Sequence, residues 1–585
     1  MSPRRVLAEV TLVVAVALGL GAYVSWRCAR EQVFIGTWDL PQTFWQGANL
    51  IRVWRTGAPN LTSAFLGLPT PFTYAPALHT ISLPLLALTW LTNPWFAYNF
   101  MCFVALTANG ASMYAVLRLV GMRRDAATIG GGVYLLAPTT LVRSVAHLCL
   151  TSTWYLPWMV WLLYREHLDG FRARHWIAFG ALIAFMHGSH EYLGLLGLGL
   201  LGGALACRLP DLGVRCTVRA GGVALLTYGL LSAPVLWLYL SQRAYDQAYG
   251  IHPVRPLEES IYMSASLADY LMPSNANIVY RHFAFFIAEN RILESFNYLG
   301  LLNLVTLLVL GWWALRRRDR LRAFIDESPL LRTLRRELWA TAVGALVLSL
   351  GPRWKSAPWI VLPVSLLAFA PFDMVRGWGR YGFVVFFVLA LLTAHLAQFM
   401  LARTRWPAPL TLAILGVAVL DQLPFTEVPA FRMPLPSALS RIAAEHGRFK
   451  VLHLPFHSKS GAQHAGLSQI MQPLHGKDIV GGYAAFDPPV YLYALLQTPL
   501  SELDGATQGT TSKASAAALA RWMMDADVRF VVYEKKLQFY RERFGPSEDA
   551  RLRAATDPVL EALVRAGDLE RIEDDPDYRV FRVVP

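Results

Sequence analysis

The side chains best suited to chemistry in this sequence are an aspartate and a pair of arginines close to apolar segments. Asp39 lies in the stretch TWDLPQTFWQ, and Arg376 and Arg380 lie four residues apart in MVRGWGRYGF. A carboxylate can act as a general base that removes a proton from an acceptor hydroxyl or amine, or it can simply cap a helix. Arginine forms forked, charge-assisted hydrogen bonds with phosphate, although interfacial arginines also snorkel without a ligand. The residues alone leave both roles of Asp39 open, and we predict a lipid phosphate as the partner of the two arginines.

A second group of polar residues could support such a site. Arg143 and His147 lie in TTLVRSVAH, and His190 and Glu191 lie in MHGSHEY. A His/Glu group can ligate a divalent cation or donate protons, but it is more often a packed polar group at a turn. We predict supporting roles for these four residues, with no metal and no cofactor.

The composition indicates which elements must position these residues. Of the 585 residues, 55% are hydrophobic and 16% are charged, whereas soluble domains average about 25% charged residues. Upstream of residue 425, apolar runs recur with lengths close to the roughly 20 residues that a helix needs to cross a bilayer. The sequence therefore predicts a polytopic α-helical membrane protein.

Charge placement predicts the topology. The formal net charge is +13, but the arginines gather at the ends of apolar runs, which is typical of cytoplasmic loops and argues against nucleic-acid binding. We predict a cytoplasmic N-terminus, an uncleaved first helix at 6–26, and an external loop at 27–96 that carries an interfacial or partly re-entrant helix at 76–91. Further spans at the following positions would bring the total to about 11: 97–118, 126–142, 149–165, 176–189, 192–207, 218–240, 296–315, 338–351, 380–402 and 408–424.

The last quarter of the chain has a different pattern. The segments 449–454, 528–533 and 578–584 read as strands, and 512–525 and 550–566 have helical spacing. We predict a transmembrane domain at 1–428, followed by an external soluble α/β domain at 429–585. This α/β domain has no Walker phosphate loop and no Gly-x-Ser-x-Gly elbow.

The order of several motifs resembles a known family. TWDLPQTFWQ is followed by PFTYAPALHTISLPLLAL, NPWFAYNF, YAVLRLVGMRRDAA, SLGPRW and VRGWGRYGF, and later by KVLHLP, PLHGKDIVGGY and VRFVVYEK. In this order the chain resembles bacterial membrane glycosyltransferases of the GT-C fold, a group related to protein O-mannosyltransferases and aminoarabinose transferases. Many relatives carry a paired acidic motif in the first loop, whereas Asp39 stands between Trp38 and Leu40.

The resemblance implies an enzyme that transfers a sugar, with inversion, from a polyprenyl-phosphate donor. The acceptor would be an envelope glycan, lipid or protein on the outer side of the bacterial inner membrane. Asp39 would be the catalytic base, and Arg376 and Arg380 would bind the donor phosphate. Two alternatives stay open. A lipid or glycan transporter (a flippase) should show internal repeats, which the sequence does not display, and a non-catalytic membrane scaffold of the same fold would not need Asp39.

Overall fold

A computed structural model describes most of the chain. The described residues are 3–35, 79–144, 147–248, 257–273, 277, 279–282, 295–367, 375–423, 430–447, 449–454, 470–472, 474–480, 498–503, 516–535 and 546–585. Asp39 and most of the predicted first external loop lie outside them.

Helices dominate the part of the chain up to residue 423. In chain order they are α1 (Pro3–Glu31), α2 (His79–Leu91), α3 (Pro94–Leu119), α4 (Arg124–Leu135), α5 (Pro138–Ser144), α6 (Leu148–Thr151), α7 (Tyr155–Asp169), α8 (Ala173–Ser189), α9 (Glu191–Ala248), α10 (Leu257–Tyr262), α11 (Leu267–Leu271), α12 (Leu301–Arg316), α13 (Arg318–Asp326), α14 (Pro329–Ser349), α15 (Gly382–Leu401) and α16 (Pro407–Gln422). Beyond them are α17 (Leu439–Ala444), α18 (Ala516–Asp525) and α19 (Pro546–Ala566).

Length and apolar composition support the membrane assignment. Within the described ranges, four helical segments are long and apolar enough to cross a bilayer: Arg4–Glu31, Pro94–Leu119, Glu191–Trp237 and Trp378–Leu401. The shorter apolar helices are Thr80–Leu91, Leu301–Arg316 and Pro407–Gln422. The chain is thus a mostly helical membrane protein, and the count of 11 spans stays a prediction.

Glycine and proline decide where two of the apolar segments are interrupted. The spans predicted at 192–207 and 218–240 lie on either side of Gly213, where φ is 73° and two helices meet at a kink within α9. Because glycine adopts positive φ without a steric penalty, the chain turns there without a loop. The span predicted at 126–142 is divided into α4 and α5, since Pro138 has no N–H with which to continue the helix.

The chain divides into two compact units. The first comprises Met1–Val24, Phe100–Ala233 and Pro253–Val428, and the second comprises Ser25–Asn99, Pro234–His252 and Pro429–Pro585.

In the first unit, α15 is buried along nearly its whole length. A Cβ on Gly130 of α4 would lie 2.7 Å from the Cβ of Ala394 in α15, so the small residues allow a close approach of these helices. The neighbouring residue, Thr393, donates through its hydroxyl to Asn303 Oδ1 of α12 at 2.7 Å. Helix α15 is therefore buried in contact with both α4 and α12.

The second unit contains two sheets. Strand β1 (Val33–Ile35) pairs antiparallel with β2 (Ala430–Arg432). The larger sheet has the order β4-β3-β5-β7-β6 and consists of β3 (Lys450–Leu454), β4 (Asp478–Val480), β5 (Val528–Glu534), β6 (Leu569–Asp574) and β7 (Tyr578–Val583). The pairs β3–β4 and β3–β5 are parallel, whereas β5–β7 and β6–β7 are antiparallel. The three strands expected from the sequence are present as β3, β5 and β7, and α18 and α19 cover the sheet through a core that includes Leu452, Leu519 and Leu563.

Candidate functional site

The two arginines singled out by the sequence lie directly before α15. A 3₁₀ turn, Trp378–Tyr381, leads into this helix, and Arg380 within the turn is buried. The Arg380 side chain folds back across Gly377. The two are so close that a Cβ on Gly377 would lie only 2.7 Å from Arg380 Nε. Glycine at position 377 is therefore required for the observed placement of Arg380.

Tyr192, near the start of α9, connects the two arginines. Its hydroxyl oxygen accepts hydrogen bonds from the backbone N–H groups of Arg376 at 3.0 Å and Gly377 at 3.1 Å. The Arg380 guanidinium carbon lies 4.6 Å from the centroid of the Tyr192 ring, which is a cation–π geometry. One tyrosine thus fixes the backbone of the first arginine and the side chain of the second.

Histidine and glutamate from neighbouring segments complete the cluster. Arg380 Nη1 lies 3.4 Å from His190 Nε2, and the charge of Arg380 also acts on the Glu191 carboxyl group. Arg376 Nη1 donates to Glu259 Oε1 of α10 at 2.5 Å. Burial alone would lower the pKa of Arg376, but the hydrogen bond to Glu259 and its negative charge raise the pKa above the ordinary value. Arg376 is therefore a permanent cation.

Two further contacts hold the backbone of this segment in place. The Ser260 hydroxyl donates to the Val375 carbonyl at 3.3 Å, and Asn297 Nδ2 donates to the Gly379 carbonyl at 2.8 Å. These hydrogen bonds hold the backbone that carries the two arginines in place, directly before the start of the buried helix α15. We refer to Arg376, Arg380, Tyr192, His190 and Glu259 as the arginine cluster.

The remaining predicted site residues have different positions. Arg143 in α5 is fully buried, with its guanidinium carbon 6.0 Å from the ring of Phe383 in α15. The backbone N–H of His147 donates to the Arg143 carbonyl at 2.6 Å, and the His147 side chain is buried. The structure thus brings His190 to Arg380, and it places Arg143 against the helix that follows the cluster.

The arrangement can bind an oxyanion. Two guanidinium groups, one of them buried, provide directed N–H donors, which suit a phosphate better than a single lysine would. Glu259 neutralises part of the charge on Arg376, so an anion bound there would share this arginine with a carboxylate. Over the part of the chain that the structure describes, no group of three or more His, Cys, Asp or Glu side chains could hold a metal ion.

Sequence reasoning missed Tyr192 and Glu259. Tyr192 directly follows the HGSHE segment, which contains the predicted site residues His190 and Glu191. The two backbone N–H groups that donate to its hydroxyl, however, lie 184 and 185 residues further along the chain. Glu259 lies 117 residues from Arg376 and belongs to a short helix without a recognisable motif. Neither partnership leaves a local signal in the sequence.

A buried carboxylate at the end of α16 was also missed. Asp421 Oδ1 accepts from the hydroxyls of Tyr280 and Tyr298, each at 2.7 Å, and Oδ2 accepts from the backbone N–H of Leu301 at 2.6 Å. These hydrogen bonds connect the end of α16 to the start of α12.

Comparison with known structures defines the class of fold. The mycobacterial arabinofuranosyltransferase AftD, in a mutant form, matches with a TM-score of 0.55 and 14% identity, covering 100% of this chain and 42% of that chain. This chain thus spans less than half the length of AftD. The archaeal oligosaccharyltransferase AglB from Archaeoglobus fulgidus, solved with an inhibitory peptide and a dolichol-phosphate, has a TM-score of 0.42 and 10% identity over 94% of this chain and 72% of that chain. The likeness to AftD shows a GT-C fold.

The family follows from the sequence match. Residues 33–423 match the family described as Domain of unknown function (DUF6311), and the chain belongs to that family. No curated protein matches this sequence. The arginine cluster lies wholly inside the matched region.

Proposed function

We propose that this protein is a membrane glycosyltransferase that uses a polyprenyl-phosphate-linked sugar as donor. The observation that carries the proposal is the arginine cluster, where Tyr192 holds the backbone of Arg376 and the side chain of Arg380. Support also comes from the GT-C fold, which this chain shares with an arabinofuranosyltransferase. The cluster would bind the donor phosphate, and Asp39, in the first-loop position typical of the family it resembles, would be the base.

The proposed reaction has a simple balance of bonds. An acceptor hydroxyl oxygen attacks the anomeric carbon of the sugar while the bond from that carbon to the phosphate oxygen breaks. The bonding electron pair leaves with the polyprenyl phosphate, and the acceptor proton passes to Asp39. Attack opposite the leaving group inverts the anomeric carbon. The two guanidinium groups stabilise charge that develops on the leaving phosphate, which is the most effective place for fixed positive charge.

Topology and partners form part of the same proposal. The arginines at the chain's polar loops favour a cytoplasmic N-terminus, so the site would face the outer side of a bacterial inner membrane. The acceptor would then be an envelope glycan, a lipid or a protein. Arg143, His147, His190 and Glu191 would support the site without a metal.

The test is a mass profile of envelope glycans from matched strains. A deletion strain is complemented with the wild type, with Asp39→Asn, or with Asp525→Asn as an exposed control aspartate, at equal protein levels. We expect Asp39→Asn to lack the same sugar as the deletion strain, and Asp525→Asn to match the wild type. The missing mass would identify the sugar class.

The opposite result has a definite meaning. If Asp39→Asn restores the wild-type profile while the deletion strain differs from it, Asp39 is structural and the catalytic proposal fails. Glycan that accumulates unmodified on the inner side of the membrane would then favour a transporter. Loss of the profile only after truncation near residue 430 would favour a scaffold.

A further inference from the structure

An exposed run of arginines marks the junction of α12 and α13. Arg316, Arg317, Arg318, Arg320 and Arg322 are all exposed, and Asp319 is the only acidic residue between positions 316 and 322. These seven residues therefore carry a net charge of +4, from five arginines and one aspartate. We call Arg316–Arg322 the α13 patch.

In the described part of the chain, no acidic side chain forms an ion pair with the arginines of this patch. Among the described residues, Arg316, Arg317, Arg320 and Arg322 form no ion pair, and Arg318 donates only to the Ala314 carbonyl, at 3.4 Å. A nearby arginine behaves differently, because Arg403 Nη2 lies 2.5 Å from Glu327 Oε1. The patch thus offers several guanidinium groups to a partner outside the chain.

The patch is fixed in place by aromatic packing. Phe324 of α13 is buried against Trp313 of α12 and Phe399 of α15, with ring centroids 6.1 Å and 6.0 Å apart respectively. Trp313 and Phe399 also contact each other, at 5.5 Å. Because α13 is already docked, a partner would not have to order it, which reduces the entropic cost of binding.

An exposed apolar surface leads up to the patch. On α12, Leu308, Trp312 and Leu315 are exposed, and Leu315 immediately precedes the first arginine of the patch. Tryptophan is enriched where the hydrocarbon of a bilayer meets the headgroups, and arginine lies at the headgroup level. Lipid chains along α12 would therefore place their phosphates beside the arginines.

We propose that the α13 patch binds the phosphate headgroups of anionic phospholipids. Arginine suits this ligand because its planar fork can donate two hydrogen bonds to one phosphate. A nucleic acid would satisfy the charge equally well but would leave the exposed leucine and tryptophan side chains of α12 without a partner, so the apolar surface favours a lipid. The inference is independent of any transfer reaction.

The test uses the detergent-solubilised full chain titrated with short-chain phosphatidylglycerol or phosphatidylcholine, with binding followed by native mass spectrometry. We expect a clear preference for phosphatidylglycerol that weakens with salt. The triple variant R318Q/R320Q/R322Q should weaken this binding about fivefold for each arginine removed. The control triple R441Q/R521Q/R565Q removes the same charge from exposed positions elsewhere and should retain the preference.

Several results would overturn the proposal. They are equal binding of the two lipids by the wild type, equal losses in the two triple variants, and displacement of phosphatidylglycerol by an oligonucleotide at matched phosphate concentration. Should the α13 triple variant elute as an aggregate in gel filtration, the single Arg320→Gln variant decides the same question, with an expected loss of about fivefold.

Discussion

Tyr192 shows how much one side chain can organise at the scale of a residue. Its hydroxyl group satisfies two backbone donors of the segment that carries Arg376, and its ring supports the guanidinium group of Arg380. The spacing of the two arginines was visible in the sequence. Their common support was not visible, because it depends on contacts between segments more than 180 residues apart.

The hydroxyl group of Tyr192 can be tested separately from its ring. Tyr192→Phe keeps the aromatic face under Arg380 but leaves the N–H groups of Arg376 and Gly377 without this acceptor. We expect a loss of about 1–3 kcal/mol in the free energy of unfolding. Thermal unfolding of the purified protein would measure it, with Tyr262→Phe as an exposed control. Equal stability of the two variants would show that the bonds to Tyr192 contribute nothing.

Gly377 provides a test of Arg380 that leaves the arginine itself intact. The Cβ of Gly377→Ala would displace the flexible Arg380 side chain, so we expect a folded protein that binds a polyprenyl phosphate about 10–100-fold more weakly. The free polyprenol serves as the reference ligand. Gly222→Ala is the matched control, since nothing lies within 4 Å of its Cβ position. Unchanged phosphate affinity in Gly377→Ala would remove Arg380 from the proposed donor site.

At the scale of helices and strands, sequence periodicity carried most of the information. Apolar runs of about 20 residues located the long helices because such a run can cross a bilayer as a helix. The runs did not show that Gly213 joins two helical segments without a loop, since that depends on one backbone angle. They also did not reveal which polar residues meet between helices.

A buried ion pair between α7 and α9 is one such contact between polar residues of different helices. Arg208 Nη2 donates to Glu166 Oε2 at 2.6 Å, and both side chains are almost fully buried. Arg208→Met would leave the Glu166 charge without this partner, so we expect a loss of about 3–5 kcal/mol in stability. Arg215→Met, at an exposed position on the same helix, is the control. Similar thermal unfolding of the two variants would contradict the expectation.

Two stacked histidines predict the pH dependence of the larger sheet. His453 in β3 and His475 before β4 have ring centroids 6.1 Å apart, and the buried Nε2 atom of each forms no hydrogen bond with any residue that the structure describes. Burial lowers the pKa of His453 from 6.5 to about 3, and burial together with the charges of nearby groups lowers the pKa of His475 as well.

The sign of the effect follows from linkage. Because the folded state resists protonation, the unfolded state binds more protons below pH 6.5, and stability is lost as the pH falls from about 6.5 towards 3. Each histidine contributes a slope of about 1.4 kcal/mol per pH unit. Unfolding of the full chain by denaturant, followed between pH 7 and pH 4, should show this loss. It should be smaller in His453→Phe, and an identical slope in that variant would exclude His453 as a source.

At the scale of the whole molecule, the sequence predicted a helical membrane protein that resembles GT-C enzymes, and the likeness to AftD agrees with a GT-C fold. The orientation of the chain in the membrane is predicted from the distribution of its arginines and not from any contact in the structure. A reporter enzyme fused after Pro585 should therefore be active only on the outer side of the membrane. Activity of the fusion in the cytoplasm would reverse the orientation of every proposed site.

The small sheet formed by β1 and β2 has a consequence for the order of events during synthesis. Val33 pairs with Arg432, about 400 residues later in the chain, and the Trp95 indole N–H donates to the Met433 carbonyl at 2.9 Å. At about 5–20 residues per second, the first strand waits roughly 20–80 seconds for its partner to leave the ribosome. By then every helix up to α16 has been synthesised. The pairing of β1 with β2 can therefore form only in a chain whose helical region has been translated to its end.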